Sequence, residues 1–156
     1  MEIKKEAIFA GTFDPFTRGH LEVVRKALKV FKAVTILIAI NEEKKPAYSL
    51  NERIKFIKLS TKGIKGVKID YTSGLVVNYA KKHNINFLIR GVRNEKDYQY
   101  EEKMSEVNKK LNPNILTMVF NVSKRYQNIS SSKVRELRKK GEDVSPYVSA
   151  NIIKYL

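Results

Sequence analysis

Five short apolar runs recur along the chain, each followed by a segment with helical spacing, and this alternation limits the fold more than any other feature. The runs are Ala7 to Gly11, Ala33 to Ile40, Val67 to Thr72, Asn86 to Gly91 and Leu116 to Val122. A β-branched, uncharged run such as AVTILIAI suits a strand covered on both faces. Between the runs, LEVVRKALKVF places Leu21, Val24, Leu28 and Phe31 on one helical stripe. SLNERIKFIKLSTKG opens on Ser49 with Glu52 three residues later, a capping box, and predicts a helix that stops near Gly63. Further helices are expected over Leu75 to Asn84, from about Tyr98 in EKDYQYEEKMSEVNKKLN, behind the serines of ISSSKVRELRKKG as far as Gly141, and as a short last helix in SPYVSANIIKYL. Strand then helix, five times over, predicts an α/β fold: a single-domain, doubly wound, five-stranded parallel sheet over residues 1–156, with helices on both faces.

In such sheets a ligand sits beyond the carboxyl ends of the strands. Four polar clusters fall there: Gly11 to His20, Asn41 to Lys45, Arg90 to Arg93 and Ser123 to Ser132. The first, GTFDPFTRGH, uses glycine and proline as any tight turn does, but a turn has no need of its histidine. At the start of a helix His20 would stand among unsatisfied N–H groups and a positive dipole end, where anions bind. Thr12 would offer a hydroxyl to a second anionic group. Neither G-x-G-x-x-G nor G-x-x-x-x-G-K-[ST] is present. Arg90, which closes an apolar run, is costly there unless paired.

The absence of cysteine excludes disulfides, thiolate metal sites and cysteine catalysis, and two histidines leave no histidine-rich metal site. The opening residues lack the apolar core of a signal peptide and no run is long enough to span a bilayer, so a soluble, cytoplasmic protein is expected. The net charge of +15 suits phosphate-bearing partners. Only eight of the 31 basic residues are arginine, however, and the lysines are scattered over every segment instead of concentrated on one element, as a nucleic-acid reader would have them.

Thr17-Arg18-Gly19-His20 resembles the T-x-G-H signature of the nucleotidylyltransferase superfamily, and ISSSKVR, Ile129 to Arg135, resembles its second, triphosphate-binding signature. RGVRNEKDYQYE, NEEKKPAYSLNER and GLVVNYA narrow the resemblance to the bacterial phosphopantetheine adenylyltransferases, over almost the whole chain. The resemblance implies a Rossmann-like nucleotidylyltransferase fold and transfer of an adenylyl group from ATP to 4'-phosphopantetheine, giving dephospho-coenzyme A and pyrophosphate. It also implies roles: Thr12, Lys44, Val76 and Arg90 for the phosphopantetheine substrate, and Thr12, Phe13, His20, Gly91, Val92, Arg93, Glu101 and the run Tyr126, Gln127, Asn128, Ile129, Ser130, Ser131, Ser132 for ATP. His20, Lys44 and Arg90 would stabilise the transition state. Mg²⁺ would arrive with ATP on water and phosphate ligands, no carboxylate cage being visible. A homohexamer, with no nucleic-acid or membrane partner, completes the implied picture. The chain departs from the family pattern mildly, with Ala10 and Ser149 in place of prolines and a small Val76.

Two other readings compete. A sister nucleotidylyltransferase acting on nicotinamide mononucleotide, pantoate-like or alcohol-phosphate acceptors is disfavoured by Arg90-Gly91-Val92-Arg93 followed by Asp97 and Tyr100-Glu101. A nucleic-acid-binding domain would explain the charge but not why basic, serine and histidine groups gather at strand ends.

Overall fold

The computed structural model describes residues 3–156. Its elements run β1 (Ile3–Gly11), α1 (Arg18–Ala27), β2 (Phe31–Ala39), α2 (Leu50–Ser60), β3 (Val67–Thr72), α3 (Val76–Lys82), β4 (Phe87–Val92), α4 (Glu95–Leu111), β5 (Leu116–Asn121) and α5 (Ser131–Lys139), with single 3₁₀ turns at Lys124–Tyr126 and Ile153–Tyr155. The strands form one sheet in the order β3-β2-β1-β4-β5, every pairing parallel. Winding reverses between β1 and β4, so the switch point lies beyond Gly11 and Val92, beside the helix that carries His20.

Alternation along the strands divides the core. Ala7, Phe9, Ile36, Ile38 and Ile89 turn to the face covered by α1 and α2, through Val23, Val24, Ala27 and Ile57. Ile8, Leu37 and Leu88 turn to the opposite face, against Val77 and Ala80 of α3. Burial of each such valine, leucine, isoleucine or phenylalanine side chain stabilises by about 1.5–3 kcal/mol. A third cluster, Phe56, Val134, Val144, Val148 and Ile152, fastens α5 and the last residues to α2.

The five expected strands appear, and so do the expected helices except the last, with three departures in all. Phe31 does not belong to the α1 stripe: α1 ends at Ala27 with Leu28 as its C-cap, and Phe31 opens β2, its ring 5.2 Å from that of Phe87. Its spacing from Leu28 fits a helix equally well, so spacing alone cannot place the boundary. α4 starts at Glu95, ahead of Tyr98, because the Asn94 side chain accepts the N–H of Asp97 at 2.9 Å and caps it there. SPYVSANIIKYL forms turns and the one 3₁₀ turn instead of a helix. There Asp143 and Ser149 accept the N–H groups of Ser145 and Asn151, while Val148 and Ile152 enter the third cluster.

Candidate active site

Thr17 caps α1, and the cap is unusual. The Thr17 hydroxyl accepts the His20 N–H at 3.3 Å, and in return Nδ1 of the His20 ring accepts the Thr17 N–H at 3.0 Å, taking the place that glutamate holds in most capping boxes. An Nδ1 that accepts carries no proton, so the neutral ring holds its proton on Nε2. The rings of Phe13, Phe16 and Phe9 surround it with centroids 5.0, 5.4 and 6.1 Å away. Burial, helped by the nearby positive charges of Arg90 and Arg93, lowers the imidazole pKa to about 3. His20 is therefore a neutral Nε2–H donor at physiological pH.

Phe13 holds φ at 50°, in the left-handed region that a bulky residue occupies at a cost of about 1–3 kcal/mol. Packing against Phe9 and Phe16 holds it there, and Gly11 makes room: a Cβ on Gly11 would stand 3.1 Å from the Phe13 ring. A second close approach is at Gly91, where a Cβ would come within 2.7 Å of Val23 Cγ2. Glycine there lets α1, and with it His20, sit tightly on β4.

Two cavities meet at this turn. The first, about 380 Å³, is lined by Thr12, Phe13, His20, Arg90, Gly91, Arg93, Glu101, Tyr126, Ile129, Ser130 and Ser131, thus gathering most of the residues implied for ATP. The second, about 1190 Å³, contains Lys44, Lys45, Arg53, Ser132, Arg135 and Arg138. Thr12 and Ser131 border both. Lys44 and Arg90 thus line different cavities that share Thr12. Val92 and Gln127 line a separate, smaller cavity; Asn128 lines none of the three. Val76, the first residue of α3, packs on the Ile8–Leu37 core and away from all of them.

The arginines are held. Arg90 donates from Nε to Glu101 at 3.0 Å and from an Nη to the Ala10 carbonyl at 2.7 Å, which aims what remains of its guanidinium into the first cavity. Glu101 is buried, and its carboxylate is the partner that makes an arginine tolerable in a core strand. Arg93 donates its backbone N–H and its Nε to Asp97 at 3.0 and 2.9 Å. Burial pushes the Asp97 carboxyl up, but these hydrogen bonds and the Arg93 charge outweigh it and hold its pKa below the usual range. Ser130 caps α5 by accepting the Lys133 N–H at 3.1 Å, and Ser131 donates to the Pro15 carbonyl at 2.8 Å, which ties α5 to the His20 turn.

Sequence reasoning named Asp97 and Arg135 within their motifs but gave them no role, and it gave none to Asp14 or Arg53. Arg53 is buried and donates to the carbonyls of Tyr48 and Thr12 at 3.1 Å each; its burial lowers the guanidinium pKa, against the pull of Asp14. Arg135 donates to the Asp14 carbonyl at 2.7 Å and the Ser132 hydroxyl at 3.1 Å. Arg135 lay inside the second signature and was within reach of a sequence reading; Asp14 and Arg53 act across long sequence separations and gave no signal.

The Cytidylyltransferase-like family model matches residues 8–137, which takes in both the His20 turn and α5. A phosphopantetheine adenylyltransferase from Caldanaerobacter subterraneus subsp. tengcongensis is 40% identical over 142 residues, 91% of this chain and 89% of the relative. One from Thermotoga neapolitana is 38% identical over 150 residues, 96% and 93% of the two chains. The chain belongs to the phosphopantetheine adenylyltransferase family. As a member of that family it is a nucleotidyltransferase, and its fold is shared more widely. A crystal structure from Vibrio parahaemolyticus, assigned as a nicotinate-nucleotide adenylyltransferase, superposes with a TM-score of 0.72 over 97% of this chain and 91% of its own, at 19% identity. Among the described residues no helix is long and apolar enough to cross a membrane.

Proposed function

We propose that this phosphopantetheine adenylyltransferase family member joins ATP and 4'-phosphopantetheine by direct displacement at the α-phosphorus. The observation that carries this is the meeting of two basic cavities at Thr12 and Ser131, with His20, Arg90 and Arg93 on one side and Lys44, Lys45 and Arg135 on the other. Two mutually repelling anions need such a place. A phosphate oxygen of phosphopantetheine forms a bond to the α-phosphorus of ATP, the bond from that phosphorus to the β-bridging oxygen breaks, and pyrophosphate leaves with the electron pair. The nucleophile is already an anion, so no general base is required.

His20 donates from Nε2 to an α-phosphate oxygen as charge builds there, and the Ser130–Ser132 start of α5 holds the departing phosphates with N–H groups and hydroxyls. Lys44 and Arg90 grip the nucleophile's phosphate from the two cavities that share Thr12. Mg²⁺ would come with ATP, held by its phosphates and water, and would supply charge neutralisation there. The family's hexameric assembly, as the resemblance implies it, has a candidate surface: the edge strand β5 exposes Leu116 and Val119, and α4 beside it exposes Val107 and Leu111.

Pyrophosphate release from ATP, followed with 4'-phosphopantetheine, with nicotinamide mononucleotide and with nucleic acid alone, tests the acceptor. Release with phosphopantetheine only is expected; release with the mononucleotide instead would transfer the chain to the sister reaction.

A further inference from the structure

Lys44 sits in a stretch, Asn41 to Lys45, whose residues are all exposed. Its own hydrogen bonds are local: the Lys44 N–H reaches the Asn41 carbonyl at 3.1 Å and the Glu43 N–H reaches Asn41 Oδ1 at 3.0 Å. At the near end, the Ile40 N–H is tied to the Thr72 carbonyl at 2.8 Å. At the far end, just past Pro46, two side chains tie it: Arg53 bridges the carbonyls of Tyr48 and Thr12, and Asp14 holds the backbone N–H groups. Asp14 Oδ2 accepts the Ala47 N–H at 2.8 Å and Oδ1 accepts the Tyr48 N–H at 2.9 Å. Asp14 is buried and lies between Thr12 and His20 in the same turn. Arg135 fixes it further, through its carbonyl at 2.7 Å and with a guanidinium nitrogen 3.9 Å from Oδ2.

We propose that Asp14 is a positioning residue that sets Lys44 against Thr12 and His20 by clamping the loop between β2 and α2 to the His20 turn. The proposal rests on the reading of Lys44 as a phosphate-gripping residue. The geometry suits a carboxylate: each of the two adjacent N–H donors is accepted by a different oxygen, and an amide in the same place turns its NH₂ toward one of those donors. The buried charge is balanced by Arg135 and by the neighbouring Arg53.

The test is a double-mutant cycle on the full chain, with Asp14→Asn and Lys44→Ala singly and together, reading kcat/KM for 4'-phosphopantetheine and KM for ATP. Asp14→Asn is expected to lower kcat/KM for phosphopantetheine by about 10-fold or more, since small displacements of a gripping group are costly, with KM for ATP little moved. In the Lys44→Ala background the same change is expected to cost less than about twofold. An equal loss in both backgrounds would overturn the proposal while leaving the role of Lys44 intact. If Lys44→Ala by itself changed nothing, both readings would fall. Should Asp14→Asn not fold, an amide-to-ester replacement at residue 47, lactic acid in place of Ala47, deletes the N–H that Oδ2 accepts and is read against Lys44→Ala in the same way.

Discussion

The Thr17 N–H donates to Nδ1 of His20 at 3.0 Å, so a helix cap decides which nitrogen of the ring carries a proton. With Nδ1 occupied and the ring walled by phenylalanines, His20 offers Nε2–H to the first cavity and nothing else. Removing that donor with His20→Ala should lower kcat by about 10²-fold or more, the scale of one lost transition-state hydrogen bond, with a much smaller change in KM for ATP. Steady-state kinetics decide it; near-normal turnover would remove His20 from the mechanism.

The same environment predicts a pH signature. In the unfolded chain the imidazole titrates near 6.5, in the folded protein near 3, so between those values the unfolded state binds the extra proton. Folding stability should therefore fall as pH drops through that window, and His20→Asn should flatten this dependence in chemical denaturation curves. Turnover between about pH 5 and pH 8 should show no ionisation belonging to His20. A His20-dependent step in that range would contradict the neutral donor.

Arg90 and Glu101 test charge pairing apart from function. Arg90→Ala should raise KM for phosphopantetheine far more than KM for ATP, and should also lower Tm by leaving the Glu101 carboxylate buried without its partner. Adding Glu101→Gln should recover Tm without restoring KM. Full recovery of both would reduce Arg90 to a structural role.

Gly91 is expected to be intolerant for a steric reason. Gly91→Ala would drive a methyl into Val23, one turn from His20, at a cost of about 1–3 kcal/mol in stability and a loss of turnover. Val23→Ala in the same chain should return much of both, since it removes the atoms that clash. Thermal denaturation of the three variants provides the check.

The apolar face across α4 and β5 predicts self-association. Leu111→Asp should shift the molar mass by light scattering to a smaller species while the sheet stays folded by circular dichroism. An unchanged mass would leave this face without that role.

The alternation of apolar runs with helical segments was enough to read all five strands and their parallel pairing, because a helix crossover returns the chain to lay the next strand in the same direction. The cluster at the strand ends was legible for the same reason, since parallel strands bring their carboxyl ends to one edge. What escaped were relationships set by tertiary distance. The cost of an arginine in β4 was visible, but its partner Glu101 lies eleven residues on and was assigned to ATP by resemblance. Asp14 reaches across more than thirty residues to the lysine loop, which no periodicity can reveal. The histidine in the Thr17 capping box was hidden because the usual signature asks for glutamate or glutamine at that place.

Direct meeting of the two anions at Thr12 is the centre of the account, and the stereochemistry at phosphorus tests it. ATP carrying a single sulfur on the α-phosphorus, of one known configuration, is turned over with 4'-phosphopantetheine, and the configuration of the resulting thio-dephospho-coenzyme A is determined. One in-line displacement predicts inversion; retention would mean that an adenylylated enzyme group intervenes and would contradict it.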